Sequence, residues 1–176
     1  MSVVSTDLPA DYLLSHPTMG SRRFIETSGE INEFMKMHVI NLAERGLHQV
    51  GKRLYGAKIA VMGLAYKRNI NDPRESPAIK IIEELANLGA RVRVYDPFVP
   101  SLATKAGVFV SAGSVEEALS GAECAVFLVD HDLFRGVSLE TVKGLMASPV
   151  VVDGKNLFDG GEGIVYLGIG KGLVPI

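Results

Sequence analysis

Apolar positions along the chain change their period near residue 57. Before it, Ile31, Met35, Val39, Leu42, Leu47, Val50 and Leu54 recur near the repeat of a helix, and Phe24, Ile25, Phe34 and Ile40 widen the stripe. The spacing predicts one long helix over residues 22–50. It would break at Gly29 or Gly46, since glycine costs about 1 kcal/mol in a helix interior. Residues 1–20, with Pro9, Pro17 and Gly20, read as an irregular lead-in. A helix this long, standing outside a sheet domain, must bury its stripe; a second copy of the chain or a further domain is the expected cover.

From Ala57 short apolar runs alternate with short helical patterns. Lys58–Met62 reads as a strand ending at Gly63. Residues 77–88 read as a helix with Ser76 as cap, Pro77 at its first position and Gly89 just past its end. Arg91–Tyr95 is a strand stopped by Asp96-Pro97. A short helix is expected near Leu102–Ala106, then a strand at Val108–Val110. Ser114 and Glu117 make a capping box for a helix over 114–120. Glu123–Val129 is a buried strand, Leu139–Met146 a helix, Val150–Val152 a strand, and Ile164–Leu167 one more. Strands separated by short helices imply βαβ units. The expected fold is therefore α/β: a Rossmann-like, doubly wound, mostly parallel sheet with helices on both faces, preceded by a long helix. The chain divides into a lead-in and long helix (1–54) and a sheet domain (55–176).

Composition removes several function classes. With 47% hydrophobic and 22% charged residues, the 176-residue chain is ordinary globular sequence. A net charge of −2 gives no sign, through bulk charge, of a nucleic-acid or anionic-membrane partner. No apolar run approaches a membrane span of roughly 18 residues. The start, MSVVSTDLPADYLL, has no basic segment followed by an apolar core, so no signal peptide is expected. The single cysteine, Cys124, sits in an apolar run and reads as a core residue suited to a reducing, cytoplasmic setting.

In a doubly wound sheet the chemistry sits at the carboxyl ends of strands. The first strand is followed by GLAYKRNINDPRESPA, residues 63–78. A dinucleotide fingerprint would need glycines where Ala65 and Arg68 stand, so the usual phosphate cradle is missing. In its place Lys67, Arg68, Asp72, Arg74 and Glu75 precede a helix N-terminus, an arrangement suited to anions. Arg74 could fork onto a phosphate, and the mobile Lys67 ammonium could reach a reacting oxygen. Asp96 reads as a turn residue before Pro97. His131 lies between Asp130 and Asp132, but three consecutive side chains do not converge on one ion, so no metal is expected. His38 and His48 are expected at the helix surface or an interface.

The string from Gly63 to Pro100, with YK-x4-D-x-RES at a strand-to-helix turn and YDP beyond it, resembles the C-terminal domain of the UDP-glucose/GDP-mannose dehydrogenase family. GAECAVFLVDHDLF (121–134) and VVDGKNLFD (151–159) continue the resemblance. PADYLL (9–14) and RRFIETSGEINEFM (22–35) resemble the end of that family's central segment and its dimerisation helix. The resemblance implies NAD-dependent oxidation of a nucleotide-sugar C6 alcohol to a uronate in two steps, through a thioester on a cysteine. It implies that Lys67 lies beside the substrate and steadies an oxyanion at C6, that Tyr66 contacts the sugar nucleotide, and that Arg74 reaches the NAD. Lys155 falls where relatives carry arginine against the substrate. Gly29 stands where relatives often have arginine.

The family's GGxC cysteine and its GxGxxG domain are not in this sequence, and Cys124 matches no catalytic position. The expectation is a UDP-sugar-binding, substrate-side domain that dimerises through the helix at 22–50. NAD would be held mainly by a separate domain, and these residues alone would not be catalytically competent. The alternative is a non-catalytic nucleotide-sugar-binding or dimerisation module. RESPA and the EIN-x2-M helix lean toward a UDP-N-acetylhexosamine over UDP-glucose.

Overall fold

The computed structural model describes residues 19–170, with side chains from Phe34 onward. The expected lead-in, PADYLL and the chain's last residues lie outside the described residues, as do the side chains of Phe24, Ile25 and Ile31. The chain forms two compact units, Met1–Met35 and Lys36–Ile176. All strands belong to the second.

Helix α1 spans Met19–Gln49 without a break. At Gly46 a side chain could not be placed: a β-carbon there would stand 2.5 Å from Val150 Cγ1 and 2.9 Å from Leu167 Cδ1. The glycine expected to interrupt the helix instead lets its backbone lie against the sheet. Val39, Ile40, Leu42, Ala43 and Leu47 are buried in the same core as the strands. From Val39 on, α1 is thus packed within its own chain, which a period change at Ala57 did not indicate.

Five strands form one parallel sheet: β1 (Lys58–Met62), β2 (Arg91–Tyr95), β5 (Cys124–Phe127), β6 (Val150–Asp153) and β7 (Val165–Gly168), in the order β2-β1-β5-β6-β7. Ile59 pairs with Val92 and Cys124, and Val152 with Val126 and Leu167. β5, β6 and β7 are buried along their whole length, as strands covered on both faces must be. One face carries Val61, Val126 and Val152 against α1 and Ile81, Ile82 and Leu85 of α2 (Pro77–Asn87). The other carries Met62, Phe127 and Tyr166 against α3 (Val115–Leu119), Phe134 of α4 (Asp132–Arg135) and Val142 of α5 (Leu139–Leu145).

Beyond β2, Ser111 makes one parallel bridge to Val94. The strand order is therefore that of a Rossmann half-pair in which the usual third strand has shrunk to a single contact. The chain between is an antiparallel hairpin, β3 (Ser101–Thr104) with β4 (Gly107–Val110). This corrects the short helix expected near Leu102–Ala106. So few residues cannot distinguish a period of two from 3.6, and the turn chemistry decides: the Ala106 amide donates to Thr104 Oγ1 at 3.1 Å, and the turn closes on Gly107 with φ +130°.

The caps of α2 are as expected. Ser76 Oγ accepts from the Ala78 amide at 3.2 Å, and Gly89 turns the chain with φ +82°. The box on α3 is half made: Ser114 Oγ accepts from the Glu117 amide at 3.1 Å, but the Glu117 carboxylate takes the Gly113 amide at 2.7 Å. The one-turn helix α4 has no counterpart in the apolar pattern.

Candidate functional site

At the end of β1 the chain must cross close to β5. A β-carbon on Gly63 would lie 2.6 Å from Val129 Cβ and 2.8 Å from Val129 N, and φ is +95°. Only glycine fits both demands. Next, the Leu64 and Ala65 amides donate to Asp96 Oδ2 at 2.6 and 3.0 Å. Asp96 Oδ1 accepts from the Phe98 and Val99 amides at 2.8 and 3.0 Å, and His131 Nε2 lies 2.9 Å from Oδ2. Burial acts to raise the Asp96 carboxyl, but His131 and the amides of Leu64, Phe98 and Ala65 outweigh it and hold the pKa below its ordinary value. Asp96 does serve the turn before Pro97, as read from the sequence; it also anchors the loop after β1.

The far side of that loop is held as firmly. Asn69, with φ +57°, donates its amide to His131 Nδ1 at 2.9 Å. Its side-chain amide donates to Asp132 Oδ2 at 2.5 Å, and Arg68 pairs with Asp132 at 2.6 Å. The Tyr66 amide closes the loop on the Asp72 carbonyl at 2.7 Å. Between these ties the side chains of Tyr66 and Lys67 stand exposed, the ammonium 5.6 Å from the ring centre. Lys67 has no ion-pair partner among the described residues.

Arg74 is placed differently. Its guanidinium forks onto Asp72, with Nε to Oδ1 at 2.9 Å and Nη2 to Oδ2 at 2.8 Å. The hydrogen bonds from Arg74 lower the Asp72 carboxyl to about 2. The fork read as suited to a phosphate is filled from within the loop. Lys155 follows β6 and is exposed. Its amide donates to Asp153 Oδ1 at 2.9 Å, while Asp153 Oδ2 takes the Phe158 amide at 3.0 Å and the Tyr166 hydroxyl at 2.8 Å. Burial, then the Asp153 carboxylate, push the Tyr166 phenol up. Since β1, β5 and β6 are neighbours and parallel, Tyr66, Lys67 and Lys155 all stand on loops at one edge of the sheet.

A dinucleotide does not fit this unit in the Rossmann manner. The acid that would meet a ribose, Asp96, is 4% exposed and has both oxygens bonded to the protein. A cleft of about 610 Å³ does open beside it, lined by Asn71, Tyr95, Phe98, Val110 and Ser111 among others. No three metal-binding side chains cluster among the described residues. Cys124 is fully buried in β5, and burial pushes its thiol up to about 12; it is not a thiolate nucleophile.

The residues missed in the sequence are Asp96 as an anchor, His131 and Asn69. Alternation offered a signal. In Asp130-His131-Asp132 the flanking acids pair outward, with Arg135 at 2.9 Å and Arg68 at 2.6 Å. The middle ring is fully buried between them.

Comparison with known proteins agrees with this fold. A UDP-N-acetyl-D-mannosamine dehydrogenase of Pyrococcus horikoshii is 33% identical over 169 residues, which cover 95% of this chain and 38% of that protein. A UDP-glucose 6-dehydrogenase of Bacillus subtilis is 35% identical over 158 residues, 86% of this chain and 33% of that protein. Among solved structures, the UDP-D-ManNAc dehydrogenase of P. horikoshii superposes with a TM-score of 0.76 at 32% identity, covering 94% of this chain and 38% of that one. An NDP-N-acetyl-D-galactosaminuronic acid dehydrogenase of Methanosarcina mazei gives 0.75 at 27%, covering 97% and 34%. The chain thus spans about a third of the length of the relatives it matches. Residues 60–160 match the UDP binding domain of the UDP-glucose/GDP-mannose dehydrogenase family, and the chain belongs to that family.

Proposed function

We propose that these residues form the substrate-side wall of an NAD-dependent nucleotide-sugar 6-dehydrogenase. The observation that carries the reading is the loop after β1. It is tied down at Leu64, Ala65, Tyr66 and Asn69, yet presents Tyr66 and an unpaired Lys67 at the same sheet edge as Lys155. Two cations and an aromatic ring on held loops suit a diphosphate and the sugar beyond it. Lys67 would then steady negative charge at C6. The motif leans toward a UDP-N-acetylhexosamine, and dehydrogenases for both kinds of sugar stand among the relatives.

NAD would be held mainly outside these residues, since the Asp96 end does not suit it. Arg74 could reach NAD only by releasing Asp72. The helix over 22–50 is proposed to dimerise. From Val39 on its apolar stripe is buried on its own sheet, so the contact would use the part before it. The single buried thiol suits a cytoplasmic protein.

The test is direct. The purified chain, titrated with UDP, should show saturable binding that Lys67→Ala weakens. With NAD and UDP-hexoses it should make no NADH until a GxGxxG domain carrying a GGxC cysteine is supplied. The second reading, a binding or dimerisation module without catalysis, is favoured by the inert Cys124. It gains if such a domain restores nothing while UDP still binds. A monomer by sedimentation at micromolar concentration would remove the dimer.

A further inference from the structure

We infer that His131 is a positioning residue: a neutral ring, protonated on Nε2, that grips the Asn69 amide and thereby sets the loop on which Tyr66 and Lys67 stand. Only the purpose given to that loop rests on the proposed function; the grip itself does not.

The imidazole is 0% exposed, so each ring nitrogen must find its partner inside the protein. Nδ1 faces the Asn69 amide at 2.9 Å. An amide N–H can only donate, so Nδ1 must offer a lone pair. The proton then sits on Nε2, pointing at Asp96 Oδ2 2.9 Å away. The ring is hemmed by Phe98 and Phe134, with centres 5.2 and 5.4 Å off, and cannot turn over without disturbing both.

The same buried pair holds the loop at two places. Asp96 takes the amides of Leu64 and Ala65 at its start, and His131 takes that of Asn69 farther on. Tyr66 and Lys67 lie in the span between. Asn69 is also left-handed, at φ +57°, and it gains from an outside bond that keeps it there. Without the Nδ1 acceptor the span would be fixed at its start and by exposed bonds to Asp132 and Asp72. Its lysine would then sample many positions.

The experiment uses the whole chain, labelled with ¹⁵N. In the wild type, imidazole ¹⁵N–¹H correlations should place the His131 proton on Nε2, with Nδ1 bare. His131→Phe keeps the ring contacts and removes both bonds. Amide exchange at Asn69 should then rise at least ~10-fold relative to Val61 and Val126 in the central strands, and the Kd for UDP should rise about 10-fold. His131→Gln, whose carbonyl can accept from Asn69 and whose amide can donate to Asp96, should recover most of both losses. A proton on Nδ1 in the wild type overturns the inference. So does Asn69 remaining as protected as the strands in His131→Phe, or freed with UDP affinity unchanged. Should His131→Phe not fold, the wild-type tautomer and the His131→Gln data still decide. If UDP does not bind the wild type at all, the proposed function fails, while the tautomer and exchange results stand.

Discussion

Asp96 and Asp153 each stand at the carboxyl end of a strand, each is buried, and each gathers backbone amides around a loop that offers a lysine. They differ in whose loop they hold. Asp153 gathers amides only from its own loop, those of Lys155 and Phe158, and takes one side-chain bond from the next strand, the Tyr166 hydroxyl of β7. Asp96 holds the loop after a neighbouring strand, through Leu64 and Ala65, and borrows a histidine from a third, His131. A local anchor can be replaced by water and a small shift of the chain. An anchor across strands cannot, because the groups it joins are fixed by the sheet. The lysine on the Asp96-held loop should therefore be the more exactly placed and the more easily lost.

The sharpest way to break this comparison is to remove each acid. Asp96→Asn should destabilise the chain by about 3 kcal/mol or more, since several buried donors lose their acceptor together. Asp153→Asn should cost about 1–2 kcal/mol, because the Lys155 end can turn to water. Urea denaturation measures both, and equal losses would mean that strand-crossing does not matter. Next comes Tyr166→Phe, expected to cost about 1 kcal/mol by removing one buried hydroxyl bond.

Acid should act on the Asp96 site. The Asp96 pKa is depressed in the folded chain, so its contribution is fully present above the unfolded carboxylate value, near 3.8. It is lost as pH falls through the folded one. The stability gap between wild type and Asp96→Asn should be constant from pH 7 to about 5 and shrink below about 4. A gap that shrinks as pH rises would contradict this.

The smallest effect on stability belongs to the lysines. Lys67→Ala and Lys155→Ala should each leave the unfolding free energy within about 0.5 kcal/mol. Under the proposed function, Lys67→Ala should weaken UDP about 10-fold and Lys155→Ala by less. The reverse ranking would put the better-ordered wall at β6.

Much of this was legible in the sequence where local chemistry decides. Ser76, Pro77 and Gly89 delimit α2 because caps act within a few residues, and the all-apolar run of β5 announces burial on both faces. Tyr66, Lys67 and Lys155 do stand exposed on loops after strands, and their part in a site rests on the proposed function. What could not be read depends on distant partners. Arg74 looked free because nothing in its spelling says that Asp72 fills its fork. Asp96 looked like a turn acid because Leu64, 32 positions earlier, cannot be seen from a turn. Gly46 looked like a weakness in α1 because its reason, Val150, arrives a hundred residues later.

The lone thiol also makes the protein its own recorder. Cys124 sits in the middle strand of the sheet with no exposed surface and no disulfide. An alkylating reagent can reach it only when the sheet parts, so the labelling rate counts opening events rather than surface reactivity. Every variant discussed above thus carries an internal clock at the same position, read by mass alone. Loosening confined to the loop after β1 would leave that clock running at its wild-type rate, whereas damage to the whole fold would speed it.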